Sequence, residues 1–347
     1  MAEMMRAAVL HGIGDLRVED VPKPGITKPN QALVRIGSVG ICGSDVHYFT
    51  RGRIGDFIVT DPLILGHEAA GEVVAVGADV RHLAVGDRVA IEPGYPDGTC
   101  ELCREGRYNL CRHEVFMATP PDDGAFAEYV AWPADYLYKL PDSMSMDDGA
   151  MIEPLSVGLF AVWRSKLKAG DTAAIFGAGP IGLTTLQCAV AAGATNVIVL
   201  DSVQSRLEYA RKMGATTTLA VAPNNVEEIM SLTEGRGVDV AFECAGAVPA
   251  MQAAMRVARS GGMVQLVGMP AEKEPQVPIY ELIAKELYVS GQFRYANSYP
   301  EAIRMVGSGL VDVRSLVTKE FRLEEAPEAM VWVEEHKSEV IKAVVRP

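Results

Sequence analysis

Short runs in which β-branched and apolar residues alternate with polar ones, broken by glycine and proline, fill the first 150 residues. ALVRIGSVGI, EAAGEVVAVG and DRVAIEPG are of this kind, and the turn residues between them predict a β-rich, barrel-like domain. After Pro141 the period changes. SMDDGAMIEPLSVGLFAVWRSKLKAG carries a helical pattern, with Ser145 as N-cap, Asp148 in the first turn and Gly170 as its end. Pro154 is expected to divide this stretch into two helices, because proline removes an intrahelical hydrogen bond. Over residues 172–291 strands alternate with helices. TAAIF, NVIVLD, VDVAFECAG and MVQLVG read as strands; GPIGLTTLQCAVAAG, SRLEYARKMG and AMQAAMRVARSGG read as helices. That alternation implies parallel strands joined by right-handed crossovers, an α/β doubly wound sheet. From about Phe293 helices mix with short strands, and the closing IKAVVRP reads as a strand that folds back on the N-terminal domain.

Length and composition narrow the classes of function. A chain of 347 residues is comfortable for two domains. The formal net charge of -13 makes nucleic acid and anionic membrane poor partners. The N-terminus lacks the basic start and long apolar run of a secretory signal. The most apolar stretch, residues 172–200, is interrupted by Pro180, Gln187, Asn196 and several glycines, which argues against a membrane span. Six cysteines, clustered between Cys100 and Cys111 and sparse elsewhere, read as metal chemistry in a reducing, cytoplasmic compartment rather than as a disulfide framework.

The first strand of the alternating region runs into Gly177-Ala178-Gly179-Pro180-Ile181-Gly182 and then into a helix. A GxGxxG at a strand-to-helix turn is the setting of a dinucleotide site. Gly177 permits the tight turn, Gly179 lets the backbone approach a pyrophosphate, and Gly182 lets helix pack on strand. The amides that open the helix, from Pro180 and Ile181 onward, face the phosphates with the positive end of the dipole. The second strand ends at Asp201, 19 residues after Gly182. A carboxylate there accepts from both ribose hydroxyls and repels a 2′-phosphate, which favours NAD. Arg206 pulls the other way, since arginine can bind a 2′-phosphate; Asp201 weighs more because it occupies the ribose position itself. The plainer reading makes the glycines simple turns and Asp201 a helix cap.

Cys42, His67, Glu68 and Glu153 supply a thiolate, an imidazole and two carboxylates, a donor set that suits zinc. Taken singly, each has a dull explanation as core or helix-end residue, and their spacing does not by itself show that they meet in space. Asp97, Cys100, Cys103 and Cys111 form a second group. Either the four hold a structural zinc as a Cys3Asp site, or the lobe packs without metal.

Gly66-His67-Glu68-x-x-Gly71-x5-Gly77-x2-Val80 resembles the zinc alcohol dehydrogenase signature of the medium-chain dehydrogenase/reductase superfamily. ICGSDVHY, GRIGDFIV, LGHEAAG, GDRVAIEPG, GRYNLC, ATPPDDG, IEPLSVG, GAGPIG and GQFRYAN look like its sorbitol and xylitol dehydrogenase branch, over nearly the whole chain. The resemblance implies a GroES-like catalytic domain at residues 1–153 and 292–347, around a Rossmann domain at 154–291. It implies a catalytic zinc on Cys42, His67 and Glu68, with Glu153 as fourth ligand or joined through a water. It aligns Asp97, Cys100, Cys103 and Cys111 with the superfamily's structural zinc pattern C-x2-C-x2-C-x7-C, with aspartate in place of the first cysteine. It nominates Tyr48, Glu153, Arg294 and Tyr295 for the substrate, and residues 267–269 (Val267, Gly268, Met269) with 292–294 (Gln292, Phe293, Arg294) for the nicotinamide. The expected activity is oxidation of a secondary hydroxyl, at carbon 2, of a sugar alcohol such as sorbitol or xylitol to the ketose, with hydride passing to NAD. Ser44 would take the proton, and His47 either extends that relay or is a surface histidine. The alternatives are a dehydrogenase of the same superfamily acting on threonine, a diol or another alcohol, and a non-enzymatic dinucleotide-binding relative. A homodimer or homotetramer is implied, with MVQLVG and LYVSGQF as candidate pairing segments.

Overall fold

The computed structural model describes residues 3–347. Two compact units partition the chain: Met1–Glu153, Tyr299–Gly309 and Val313–Pro347 form one, and Pro154–Ser298 with Leu310–Asp312 the other. The second unit extends past residue 291, so Gln292, Phe293, Arg294 and Tyr295 belong to it rather than to the first.

The first unit is the β-rich one. Its main sheet runs Leu137–Lys139, Arg88–Ile91, Glu68–Val76, Gln31–Gly40, Lys342–Arg346 and Val317–Arg322, with Tyr129–Pro133 also paired to Gln31–Gly40. A three-stranded sheet of Asp15–Pro22, Met4–Gly12 and Leu63–Ile64 stands beside it. One apolar core spans both, with Leu10, Val34, Leu65, Ile91, Phe126 and Val345 buried. Alternation along the strands dictates this: in Gln31–Gly40, Ala32, Val34, Ile36 and Ser38 are buried, while Arg35 between them is exposed. The C-terminal strand does fold back as expected, pairing Val344 with Gly40 and Val345 with Val39.

Two expectations about the helical stretch need correction. Ser145 caps as read, accepting from the Asp148 amide at 3.1 Å while Asp148 Oδ2 accepts from the Ser145 amide at 2.7 Å. The break, however, falls at Met151, between helices Met146–Ala150 and Ile152–Ser165. Pro154 lies in the first turn of the second helix, where an N–H has no intrahelical acceptor to lose. That helix stops at Ser165, not Gly170: the Ser165 hydroxyl donates to the Val162 carbonyl and accepts from the Leu167 amide, and Lys166 turns to a φ of 59°.

The second unit is a six-stranded, wholly parallel sheet in the order Thr217–Ala220, Asn196–Asp201, Thr172–Phe176, Val238–Glu243, Ala258–Leu266, Tyr288–Gly291. The chain builds outward from Thr172–Phe176 in one direction, then returns to its other side. Ligand crevices form at the strand ends beside such a reversal. The strand MVQLVG is longer than expected, taking in the ARSGG read as helix. It also lies between two others, so its edges are satisfied and it offers nothing to a second chain; Tyr288–Gly291 is the edge.

Candidate active site

Cys42 and Glu68, 26 residues apart, meet because of strand register. Gln31–Gly40 and Glu68–Val76 are antiparallel, with Gly40 opposite Glu68. Cys42 follows the end of the first strand and His67 precedes the start of the second, so both lie at one end of the pair. Ligand atoms of Cys42, His67 and Glu68 all lie within 4.8 Å of one another. Glu153 is buried, and its charge acts on His67 and Lys342, but it is not in that converging set.

Asp45, fully buried, ties the two loops together. Its Oδ2 accepts from the Cys42 amide and its Oδ1 from the Gly66 amide, both at 2.9 Å. Oδ1 also lies 3.8 Å from His67 Nδ1. One carboxylate therefore fixes the backbone on either side of the cluster, and its negative charge stands close to the imidazole.

The electrostatics test whether this set suits a cation. Burial pulls the His67 imidazole down, yet Asp45, Cys42 and Glu153 together raise it to about 10. Burial likewise opposes the charge on Lys342, and Glu68, Cys42 and Glu153 overcome it. A buried site that would sooner hold two protonated bases than be neutral has surplus negative potential. With thiolate, imidazole and carboxylate within 4.8 Å, that fits zinc.

Around it, Tyr48 is 3% exposed, and the Ser44 hydroxyl is buried with no hydrogen-bond partner. His47 is exposed on the helix Gly43–Arg51, and no hydrogen bond joins it to Ser44. Burial lowers it first, and the other charges acting on it are Arg51, Glu334 and Lys337. These are surroundings of a surface histidine.

Asp97, Cys100, Cys103 and Cys111 also converge within 4.8 Å. Cys103 Sγ lies 3.3 Å from Cys100 Sγ and 3.6 Å from Asp97 Oδ1, and Cys111 Sγ 3.5 Å from the same oxygen. Asp97 Oδ2 is taken by His113 Nδ1 at 2.8 Å. The Thr99 amide and then His113 hold the Asp97 carboxyl well below the usual range, while burial and the neighbouring thiols push Cys103 up to about 12. Three sulfurs and an ionised oxygen aimed at one point suit tetrahedral zinc.

In the second unit the glycine turn has the predicted geometry. Gly177 adopts a φ of +99°. A Cβ on Gly182 would stand 1.8 Å from the Gly177 carbonyl, so only glycine lets the helix Pro180–Ala191 pack there. A Cβ on Gly179 would meet nothing nearer than Arg206 Nη1 at 4.0 Å, leaving its backbone open. A cavity of about 640 Å³ is lined by Gly177, Gly179, Asp201, Ser202 and Arg206, and across from them by Ala245 and Ala247. Asp201 Oδ2 accepts from the Ala178 amide at 2.6 Å and Oδ1 from the Val203 amide at 2.8 Å, so the carboxylate is fixed at the cavity wall with lone pairs to spare. Residues 267–269 and 292–294 sit at strand ends but do not line this cavity. The Val267 and Gly268 amides donate to the Glu243 carbonyl, and Gln292 Nε2 to the Val157 and Arg294 carbonyls. Arg294 has a φ of 52°, and Tyr295 is 3% exposed.

Sequence reasoning missed Asp45, Lys342 and Glu243. The Glu243 carboxylate accepts from the amides of Ala245, Gly246 and Ala247 at 3.0, 3.2 and 3.4 Å, shaping the loop opposite Asp201. Burial pushes it up to about 7 against those amides. Only Asp45 had a local signal, an acid three residues after Cys42 at the start of a helix.

Residues 28–142 match the alcohol dehydrogenase GroES-like domain and residues 180–308 the zinc-binding dehydrogenase domain. The chain is 46% identical over 344 residues to a sorbitol dehydrogenase of Bacillus subtilis (strain 168), covering 99% of this chain and 97% of that one. Among solved structures, an Escherichia coli oxidoreductase/dehydrogenase of unknown specificity superposes with a TM-score of 0.95 at 36% identity, covering 99% of each chain. A zinc-binding dehydrogenase from Sinorhizobium meliloti 1021 bound to NADP gives 0.89 at 33%, covering 99% of this chain and 100% of the other. The chain thus belongs to the zinc-dependent medium-chain dehydrogenase/reductase superfamily, in the branch that contains the sorbitol dehydrogenases.

Proposed function

We propose that this protein oxidises a secondary hydroxyl, at carbon 2, of a sugar alcohol such as sorbitol or xylitol to the ketose and passes the hydride to NAD. The observation that carries this reading is the convergence of Cys42, His67 and Glu68 in a chain 46% identical, nearly end to end, to a sorbitol dehydrogenase. Those three residues, with Glu153 directly or through a water, would hold zinc. When bound, zinc acts as a Lewis acid that lowers the pKa of an alcohol, and NAD accepts the hydride.

The chain's own residues do the rest. Asp45 holds Cys42 and His67 in place. The Ser44 hydroxyl, buried and without a hydrogen-bond partner, is free to accept a hydrogen bond from the substrate hydroxyl. Tyr48, Glu153, Arg294 and Tyr295 are the side chains we assign to the substrate hydroxyls. The Gly177–Gly182 turn would hold the pyrophosphate, and Asp201 the ribose. Asp201 favours NAD over NADP, because a fixed, buried carboxylate at the ribose position repels a 2′-phosphate. Zinc on Asp97, Cys100, Cys103 and Cys111 would brace the lobe.

Among the described residues, no helix is long and apolar enough to cross a membrane. We place the protein in the cytoplasm, where its six free thiols stay reduced. We also infer a homodimer through the edge strand Tyr288–Gly291, in which Tyr288 is exposed, as are Tyr280 and Ile283 in the helix Ile279–Ala284 that precedes it.

A panel of sorbitol, xylitol, galactitol, L-arabinitol, threonine and 2,3-butanediol, each with NAD and NADP and followed by cofactor absorbance, tests the reading. Highest kcat/KM on a polyol with NAD is expected. A preference for threonine or the diol would overturn the substrate assignment.

A further inference from the structure

The C-terminal strand brings to the metal cluster a side chain that belongs to no motif. Lys342 is 4% exposed. Its Nζ donates to both oxygens of Glu68, at 2.6 and 2.7 Å, and to the Ile41 carbonyl at 3.1 Å. All three ammonium protons are therefore engaged, and the positive charge is fixed. On the other side, Gly40 makes room for the same carboxylate: a Cβ there would stand 2.0 Å from Glu68 Oε2. Glu68 is held by Lys342 with its carboxylate packed over the bare Gly40 backbone, and it offers an oxygen within 4.8 Å of the Cys42 and His67 donors.

A carboxylate has lone pairs enough to serve a metal and an ammonium together. The two cations then repel across one buried group, where screening by water is weak. Each loosens the hold of the other.

We propose that Lys342 is a positioning residue that keeps Glu68 a weak, exchangeable ligand, by competing with the metal for its carboxylate. This rests on the reading that Cys42, His67 and Glu68 hold zinc. A role in simply holding Glu68 in place makes the opposite prediction: loss of Lys342 would then loosen the metal.

The test is the zinc dissociation constant of the purified full-length protein, measured by competition with a chromogenic chelator, with kcat and KM on sorbitol alongside. Lys342→Met should bind zinc at least about tenfold more tightly than wild type, as large as the low end of what losing a partner of a metal ligand usually costs but opposite in sign, and release it more slowly. Its kcat should fall. Lys342→Arg keeps the charge but not the compact donor geometry, so its zinc affinity should lie nearer wild type than that of Lys342→Met. If the metal-free Lys342→Met protein fails to fold because Glu68 is left unpaired, the Glu68→Gln background removes that charge. There Lys342→Met should change zinc affinity less than about threefold, because the shared carboxylate is gone. Weaker or unchanged binding in Lys342→Met, or an equal effect in both backgrounds, overturns the proposal. Failure of the underlying reading is distinct: the affinity of wild type itself would then be indifferent to Cys42→Ser.

Discussion

Adding one methyl group at Gly40 should disable the catalytic site while leaving the fold in place. Gly40 ends the strand Gln31–Gly40, opposite Glu68, and its φ is not in the left-handed region, so alanine suits the backbone there. The added Cβ would lie 2.0 Å from Glu68 Oε2 and 3.1 Å from Glu68 Cβ and Cδ. Ordinary contact begins near 3.4 Å, so the carboxylate must retreat by about 1.4 Å. A shift of that size breaks one of the two 2.6–2.7 Å bonds to Lys342 and draws an oxygen out of the Cys42–His67 cluster. Misplacing a catalytic group by about 1 Å costs on the order of 10²-fold in rate. Overpacking itself costs about 1–3 kcal/mol. Gly40→Ala should therefore lose roughly two orders of magnitude in kcat/KM on sorbitol, with urea unfolding shifted by no more than that stability cost. Gly25→Ala, whose Cβ would meet nothing within 4 Å, should match wild type. Turnover in Gly40→Ala within threefold of wild type would refute the placement of Glu68.

Further outcomes follow from other parts of the structure. Glu153→Ala should lower kcat at least about 10²-fold with little change in unfolding midpoint; unchanged turnover would remove Glu153 from the site. Asp201→Ala loses charge-assisted bonds worth about 1.5–3 kcal/mol, so NAD should bind about 10- to 100-fold more weakly and the NAD/NADP ratio of kcat/KM should fall; a constant ratio would exclude the ribose contact. Burial raises Glu92 to about 7, against the hydroxyls of Tyr108 and Tyr138 that donate to it. The folded state therefore binds this proton more tightly than the unfolded one, and the associated stability is present below pH ~4.5 and lost as pH rises through about 7. Glu92→Gln should gain on wild type by up to about 3 kcal/mol between pH 5 and 8, read as the difference in urea midpoints; a difference that does not vary with pH would contradict it.

The dinucleotide turn was legible because its chemistry is local. Gly177, Gly179, Gly182 and Asp201 lie within 25 residues, and each glycine answers to a steric need that spacing alone reveals. The metal cluster was legible only in its donor types. What joins Cys42 to His67 is the antiparallel register of Gly40 on Glu68, a nonlocal fact that no spacing rule carries. Lys342 was invisible for the same reason, since its partner is 274 residues away in sequence. Helix ends went astray where a side chain decided them: Ser165 bonds back to Val162 and ends its helix five residues before the expected glycine. MVQLVG reads as a pairing segment for a second chain because sequence shows apolarity but not order within a sheet, where this strand lies between two others.

Zinc content beside turnover is the most direct measurement, made on wild type, Cys42→Ser and Cys103→Ser. Two equivalents per chain are expected in wild type. Cys42→Ser should lose one together with sorbitol oxidation, and Cys103→Ser should lose the other, keep most of its kcat and unfold at lower temperature. A Cys42→Ser protein that retains both equivalents and oxidises sorbitol normally would contradict the assignment of the catalytic metal to Cys42, His67 and Glu68.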